Sequence, residues 1–141
     1  DVKNNSRMHI PIFGNGDVTT PERVVEVKDR YSIDGVMIGR ASIGYPWVFN
    51  EIKHFMATGQ YLAAPTLKDR ITAARRHLEM SVKWKGEKLG VLEMRRHYSN
   101  YFKGIPHFKE HRMKLVTHDN FDDLLGTFEE IKNSFDGELV V

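Results

Sequence analysis

Cysteine is absent from this sequence of 141 residues. Its absence excludes disulfides, zinc–thiolate sites and thiol nucleophiles within these residues. The sequence also lacks any run of the roughly 18 apolar residues that a membrane span needs. With 40% hydrophobic and 28% charged residues, its composition is typical of a globular protein and excludes a disordered chain. The length predicts one domain, or one domain with an appendage, since a domain has about 150 residues.

The opening residues, Asp1 to Arg7, contain neither an apolar segment nor a cleavage-site pattern. They therefore predict no signal peptide. Because apolar runs are also lacking, we expect a cytoplasmic protein without a membrane partner.

The net charge of +2 conceals an uneven distribution of charge along the chain. Residues 1–65 contain seven basic and seven acidic side chains, a net charge of 0. Residues 66–114 contain thirteen basic and five acidic side chains (net +8), whereas residues 115–141 contain one and seven (net −6). The central segment also carries interleaved histidines and aromatic residues, as expected of a surface that binds nucleic acid. A solvated helical face would have the same charges, so charge alone leaves both interpretations open.

Two short apolar segments flank a predicted helix near the start of the chain. Residues 8–13 predict a buried strand ending in the turn Gly14–Asp17, although Pro11 is unusual in a central strand. Thr20-Pro21 then predicts a helix start, with a capping hydroxyl followed by proline. Residues 33–38 predict a second strand. A strand, a helix and a strand within about thirty residues predict a βαβ unit with parallel strands.

The rest of the chain shows helical periodicity with breaks at glycines and prolines. Gly86 and Gly90 flank one predicted break, and Asp119 or Asn120 caps the last helix. The predicted helices cover residues 46–54, 67–82, 87–103, 108–115 and 121–135. The sequence therefore predicts an α/β segment followed by an all-helical bundle.

Each predicted strand ends in a turn of small residues, first Gly14–Asp17 and then Gly39-Arg40. In a (β/α)₈ barrel, the loops after the last two strands commonly bind phosphate, because glycine lets backbone N–H groups approach the anion. Arg40 would add a bidentate cation, although it could instead form a salt bridge at the barrel rim. The two successive turns indicate a phosphate site, while ordinary tight turns remain the alternative.

The segments Ile10–Asp17, Asp34–Ala41 and Gly44–Phe49 resemble a bacterial branch of the tRNA-dihydrouridine synthases, and the Arg95-Arg96-His97 and Tyr101–Gly104 stretches resemble that family's helical domain. One departure is Tyr45, where the family more often has asparagine. The resemblance implies that residues 1–62 are the end of an FMN-binding TIM (β/α)₈ barrel and that residues 63–141 are a helical tRNA-binding domain. A whole barrel needs about 250 residues, so this chain would be a C-terminal portion.

The resemblance also implies an activity, in which FMN reduced by NADPH delivers hydride to a uridine of tRNA and yields dihydrouridine. The family's catalytic cysteine lies on an earlier barrel loop, so the chain itself would contain no catalytic residue, and we expect it to be inactive alone. The positions that match the family's FMN phosphate and ribityl site are Asn15, Gly16, Asp17, Gly39 and Arg40. A carboxylate repels phosphate, so Asp17 would bind an amide or hydroxyl or, more simply, cap a helix.

The candidates for tRNA phosphate contacts are basic side chains on the helix predicted over residues 87–103. Lys88, Arg95, Ser99 and Lys103 fall along one polar stripe opposite the apolar face, with Arg96 beside it. Arg75, Arg76 and Lys83 on the preceding helix could widen the basic patch. The candidates are Lys88, Arg95, Arg96 and Lys103.

His107 and His111 have the four-residue spacing of a metal pair. Because no third ligand is apparent, we predict no metal site. Trp47 and Phe49 are interpreted as packing residues.

Two other interpretations of the whole sequence stay open. One is the end of another FMN- or phosphate-binding barrel, such as a dihydroorotate or inosine-monophosphate dehydrogenase. The other is a stand-alone basic helical RNA-binding module with two structural strands.

Overall fold

The computed structural model of the protein describes Asn5, Arg7 and residues 9–135. These residues form a mostly helical fold with one short parallel sheet. The elements follow in the order β1 (Phe13–Asn15), α1 (Pro21–Tyr31), β2 (Gly35–Met37), a 3₁₀ helix (Arg40–Ser42), α2 (Val48–Thr58), α3 (Leu67–Lys85), α4 (Glu87–Tyr101), α5 (Lys109–Thr117) and α6 (Phe121–Ser134).

The chain divides into two compact units, one up to Ala63 and one from Ala64 onwards. The first unit contains β1 to α2 and the second contains α3 to α6. The predicted order, α/β elements followed by helices alone, is therefore confirmed. Two strands within the described residues are compatible with part of a barrel, but they are too few to close one.

The two strands are parallel neighbours, as the βαβ pattern predicted. Phe13 pairs with Gly35 and Asn15 with Met37. Helix α1 connects the strands and begins after Thr20, whose hydroxyl accepts a hydrogen bond from the Arg23 N–H at 3.3 Å. The predicted cap and crossover are therefore confirmed.

The first strand begins later than predicted, at Phe13, and the predicted start at residue 8 lies outside the described residues. Proline at position 11 has no N–H to donate to a neighbouring strand. The next residue, Ile12, is instead held by two hydrogen bonds to Asp34. The Ile12 N–H donates to the Asp34 carboxylate at 2.7 Å, and the Asp34 N–H donates to the Ile12 carbonyl at 2.9 Å.

The prediction that this strand is buried is wrong. Ile10 and Phe13 are 66% and 68% exposed. The core of the first unit instead lies between the helices and one face of the sheet, and contains Val18, Val24, Val48 and Ile52 with Val27, Val36, Ile38, Ala41 and Tyr45 packed against it.

Helices α3 and α4 form an antiparallel pair joined at Gly86, which has a positive φ of 80°. Thr66 and Asp69 cap α3 reciprocally, since each side chain accepts from the backbone N–H of the other. The prediction that Gly90 flanks a break is wrong, since Gly90 lies inside α4. A Cβ at this position would lie 2.7 Å from the Val82 Cα, so glycine is what allows the two helices to approach so closely.

The core of the second unit is rich in aromatic rings. Tyr98, Phe102, Phe108 and Phe128 are almost completely buried, and the rings of Phe102 and Phe108 stack at 4.5 Å. Of the two predicted caps for α6, Asn120 is the cap, since its side chain accepts from the Asp123 N–H at 2.8 Å. Among the described residues, no helix combines the length and the hydrophobicity that a bilayer crossing requires.

Candidate functional site

The carboxyl ends of β1 and β2 lie side by side at one edge of the sheet, because the strands are parallel and in register. Asn15 is the last residue of β1, and Gly16 and Asp17 follow it directly. After β2, which ends at Met37, Ile38 is followed by Gly39 and Arg40. The fold therefore brings both predicted turns to the same edge.

One ion pair connects the two turns. A terminal nitrogen of Arg40, Nη2, contacts Oδ1 of Asp17, and the two side chains are 81% and 75% exposed. An exposed ion pair contributes only about 0–1 kcal/mol to stability, so the guanidinium can exchange its partner at little cost. The alternative role of Arg40 as a salt-bridge partner is therefore observed. The interpretation of Asp17 as a helix cap is wrong, because Thr20 caps α1.

Gly16 and Gly39 have open space where a side chain would begin. A Cβ at either position would meet no described atom within 4 Å, and neither glycine has a positive φ. Gly14 and Gly35 differ, since a Cβ there would lie 2.3 Å from the Ile33 side chain and 2.5 Å from the Phe13 ring, respectively. The strand glycines thus serve packing, whereas the turn glycines leave room beside the Arg40 guanidinium. This open edge, with its cation and exposed backbone, fits an anionic group.

The 3₁₀ helix after β2 is held by local contacts. The Ser42 hydroxyl donates to the Gly39 carbonyl at 2.8 Å, and the Ser42 N–H donates to the same oxygen at 3.0 Å. Tyr45, the residue that departs from the family pattern, donates its hydroxyl to Glu51 at 2.6 Å and packs edge-on against Trp47. The segment after Arg40 is therefore anchored to the first turn of α2.

The basic side chains predicted to contact tRNA fall into two groups in the second unit. Lys88 and Arg96 are exposed on α4, and none of the described carboxylates forms an ion pair with either. Arg95 is only 32% exposed, and its Nη2 contacts Oδ1 of Asp119 at 2.5 Å. The charge of Arg95 is therefore neutralised by Asp119 within the same unit.

Lys103 lies beyond the end of α4, which stops at Tyr101, so the predicted helix was two residues too long. Its side chain is exposed, and its carbonyl accepts from Nη1 of Arg70 at 3.0 Å. Among the other basic residues, Arg75 pairs with Glu79 and Glu129, whereas Arg76 and Lys83 are exposed.

The predicted histidine pair does not share a helix. His107 precedes α5 and has a φ of 56°, whereas His111 lies within α5 against the rings of Phe108 and Phe135. Among the described residues, no group of three or more His, Asp or Glu side chains is arranged to hold a metal ion.

A second pair of histidines, which the sequence did not predict, lies between α3 and α4. The rings of His77 on α3 and His97 on α4 lie 4.6 Å apart, and Nδ1 of His77 is 3.1 Å from the Tyr101 hydroxyl. Burial, together with the nearby His77 and Arg96, lowers the pKa of His97 to about 4, and burial also lowers the pKa of His77. Residues twenty apart meet here only because the helices are antiparallel, so local spacing carries no signal of the pair.

Comparison with known proteins agrees with these features. The family model described as Dihydrouridine synthase (Dus) matches residues 1–135. The tRNA-dihydrouridine synthase B of Pseudomonas putida is 39% identical over 106 residues, which are 75% of this chain and 32% of the relative. The probable tRNA-dihydrouridine synthase 1 of Synechocystis sp. is 36% identical over 105 residues (74% and 29%). The tRNA-dihydrouridine synthase B of Xanthomonas axonopodis pv. citri is 34% identical over 129 residues (84% and 39%).

The fold defines a segment with parallel α/β structure followed by a helical unit. The chain belongs to the dihydrouridine synthase family, as the match over residues 1–135 and the identities above show. It spans 29–39% of the length of these relatives.

Proposed function

We propose that this chain supplies the last two βα elements and the tRNA-binding helical domain of an FMN-dependent tRNA-dihydrouridine synthase. The names of the relatives support tRNA as the substrate class. The family match also favours this activity over the other FMN- and phosphate-binding barrels that the two turns alone would allow. The observation that carries the proposal is the meeting of Asp17 and Arg40 at the shared edge of β1 and β2.

The flavin site would use this edge for its phosphate end. Arg40 would donate to phosphate oxygens, and the open positions beside Gly16 and Gly39 would let backbone N–H groups approach the anion. In the absence of flavin, Asp17 would hold the Arg40 guanidinium at this edge and would be displaced by the phosphate, while Asn15 would donate its side-chain amide. When bound, FMN supplies the hydride that reduces the uridine ring, with NADPH as the reductant.

The helical domain would hold the tRNA by its phosphates. Lys88, Arg96 and Lys103 are exposed and carry the charge that such contacts require. Arg95 belongs to the same proposed surface, but its contact with Asp119 must be exchanged for a phosphate before it contributes. The proposed enzyme would act in the cytoplasm, where tRNA is available.

A chimaera tests the proposal. The matching segment of the Pseudomonas putida relative is replaced with this chain, and dihydrouridine formation on tRNA is measured with NADPH. We expect an active flavoprotein, and Arg40→Ala should release its FMN, whereas Arg30→Ala, an exposed arginine on α1, should retain it. A chimaera that folds and binds tRNA without retaining flavin would contradict the assignment of the edge and support the stand-alone RNA-binding module instead.

A further inference from the structure

A large exposed aromatic side chain lies on the outer face of α3. Trp84 is 76% exposed, and Met80, one turn earlier, is 43% exposed. Arg76, a further turn back, shares this face because residues four apart line up along a helix. The stripe is separate from the buried face of α3, which contains Ile71, Ala74, Leu78 and Ser81. Trp84 is thus not needed for the core of the helical unit.

Trp84 and Met80 line a depression of about 400 Å³ between α3 and α4. Arg96 and the ring of His97 line it from α4, and the buried residues Ser81 and Met94 also contribute to its lining. Its volume lies within the range of sites that bind small organic groups, about 300–1,000 Å³. The volume is therefore sufficient for one flat ring against the exposed indole.

The charges around the depression favour an anionic occupant. The Nε of Arg96 donates to Nε2 of His97 at 3.3 Å, and no described carboxylate forms an ion pair with Arg96 or Arg76. Lys85 is neutralised by Glu93. His97 accepts the hydrogen bond from Arg96 in its neutral form, which its lowered pKa of about 4 maintains at neutral pH. The depression therefore combines the neutral His97 ring and the Trp84 indole with one cation available to phosphate, Arg96, while Arg76 lies further along the exposed stripe of α3.

An exposed indole beside unneutralised arginines matches the chemistry of an unstacked nucleotide. Bases stack on aromatic side chains and arginine planes, while cations hold the phosphates on either side. We propose that Trp84, Met80 and Arg96 form a stacking subsite for one unpaired base of the RNA substrate. This inference rests on the proposed function, and it adds a base contact to a surface otherwise assigned only phosphate contacts.

The subsite would act as a positioning element. Phosphate contacts position the RNA backbone without distinguishing a stacked base from an unstacked one, whereas a base held against Trp84 would fix which unpaired nucleotide lies at a set distance from that point. Because single-stranded loops offer unstacked bases and regular duplexes do not, the subsite predicts a preference for RNA with an accessible loop.

Tryptophan fluorescence tests this directly, because the chain contains only two tryptophans, Trp47 and Trp84. In a Trp47→Phe variant of this chain, which keeps a ring beside Tyr45, all tryptophan emission comes from Trp84. We expect tRNA to quench this emission, a single-stranded oligonucleotide to compete, and a blunt RNA duplex of equal length to compete poorly. Quenching also tests the subsite without removing Trp84.

Substitution of Trp84 provides the second measurement. Trp84→Ala should weaken tRNA binding about 5- to 150-fold, the range for loss of one stacked base, and Trp84→Phe should restore most of the affinity. The salt dependence should be the same as that of the unmodified chain. Met113→Ala, which removes another exposed side chain of the same unit, should leave binding unchanged.

The outcomes separate this inference from the proposed function. Salt-dependent tRNA binding with unquenched Trp84 emission and unchanged affinity of Trp84→Ala would overturn the subsite and leave the proposed function intact. Equal competition by the duplex would also overturn it. Failure of the folded chain to bind any RNA would overturn both.

Discussion

Arg40 and Asp17 lie 23 residues apart in sequence, each just after a strand of the same parallel sheet, and their side chains form an ion pair across the two turns. Both side chains are mostly exposed, so the pair adds little to folding. The ion pair instead positions the Arg40 guanidinium at the edge of the sheet where Gly16 and Gly39 leave open space.

Replacing these two residues should have opposite effects on anion binding. In the flavin-binding chimaera, Arg40→Ala should weaken FMN binding about ten- to hundredfold, as expected for a lost charge-assisted contact. Asp17→Asn should leave it equal or tighter, because a competing carboxylate is removed. Titration by flavin fluorescence measures both. Equal weakening by both variants would instead indicate that Asp17 itself binds the flavin, and the stability of either variant should change by less than about 1 kcal/mol.

Gly90 sets the spacing of α3 and α4, and Gly90→Ala should destabilise the protein. The added Cβ would lie 2.7 Å from the Val82 backbone, and such overpacking costs about 1–3 kcal/mol. Gly126→Ala is the matched control, since it also lies within a helix but its Cβ would meet nothing within 4 Å. That control should gain up to about 1 kcal/mol from helix propensity. Thermal unfolding followed by circular dichroism compares the two, and equal melting temperatures would contradict the steric argument.

The basic side chains should separate into two functional groups. Lys88→Ala, Arg96→Ala and Lys103→Ala should each reduce the slope of log affinity for tRNA against log salt by about 0.7–0.9, with little change in stability. Arg95→Ala should instead cost about 1 kcal/mol of stability, because it loses its contacts with Asp119 and the His118 carbonyl. Salt titrations and melting curves measure the two effects. A full slope change in Arg95→Ala without loss of stability would show that its ion pair opens to RNA.

The histidine pair predicts a loss of stability in mild acid. Burial and neighbouring charge lower the pKa of folded His97 from 6.5 to about 4, so the unfolded chain takes up a proton first as the pH falls. The stability contributed by neutral His97 is therefore present above about pH 6.5 and decreases towards pH 4.

Comparison with His97→Gln isolates this effect. Carboxylates whose pKa is lowered by partners, such as Asp69 and Asp123, also contribute less stability to the protein in acid. Both proteins contain these carboxylates, so their effect cancels in the comparison. Denaturant unfolding at pH 7 and pH 4.5 should show a smaller decrease for His97→Gln. Identical decreases in the two proteins would contradict the assignment to His97.

The chain alone should form no dihydrouridine. It contains no cysteine to serve as the catalytic acid that the family resemblance implies, and its described residues contain two strands, too few to close a barrel. Incubation with tRNA, FMN and NADPH, followed by analysis of the nucleosides, measures this. Any NADPH-dependent product would contradict the division of roles proposed here.

The local signals predicted the elements well where one stretch of chain contains all the necessary information. The cap at Thr20 and the apolar periodicity of α6 lie within single helices, and the structure confirms the helices they indicate. The parallel pairing of β1 and β2 also followed from the sequence, because a short βαβ connection leaves few other arrangements.

Contacts between distant segments were not predictable in this way. The sequence could not indicate that Arg95 contacts Asp119, that Gly90 packs on Val82 or that His77 meets His97. Each of these depends on how antiparallel helices or the loop before α6 are positioned. The exposure of Phe13 was mispredicted for the same reason, since an apolar strand does not specify which of its faces a neighbour covers.

The sequence by itself determined, to within about two residues, where the helices begin and which turns follow the strands, because capping, proline geometry and apolar periodicity act over only a few residues. Only the tertiary structure decided which arginines are free, which histidines stay neutral and where an indole is left exposed beside a cation. Those properties depend on burial and on partners that the chain brings together from far apart, and no short-range pattern encodes them.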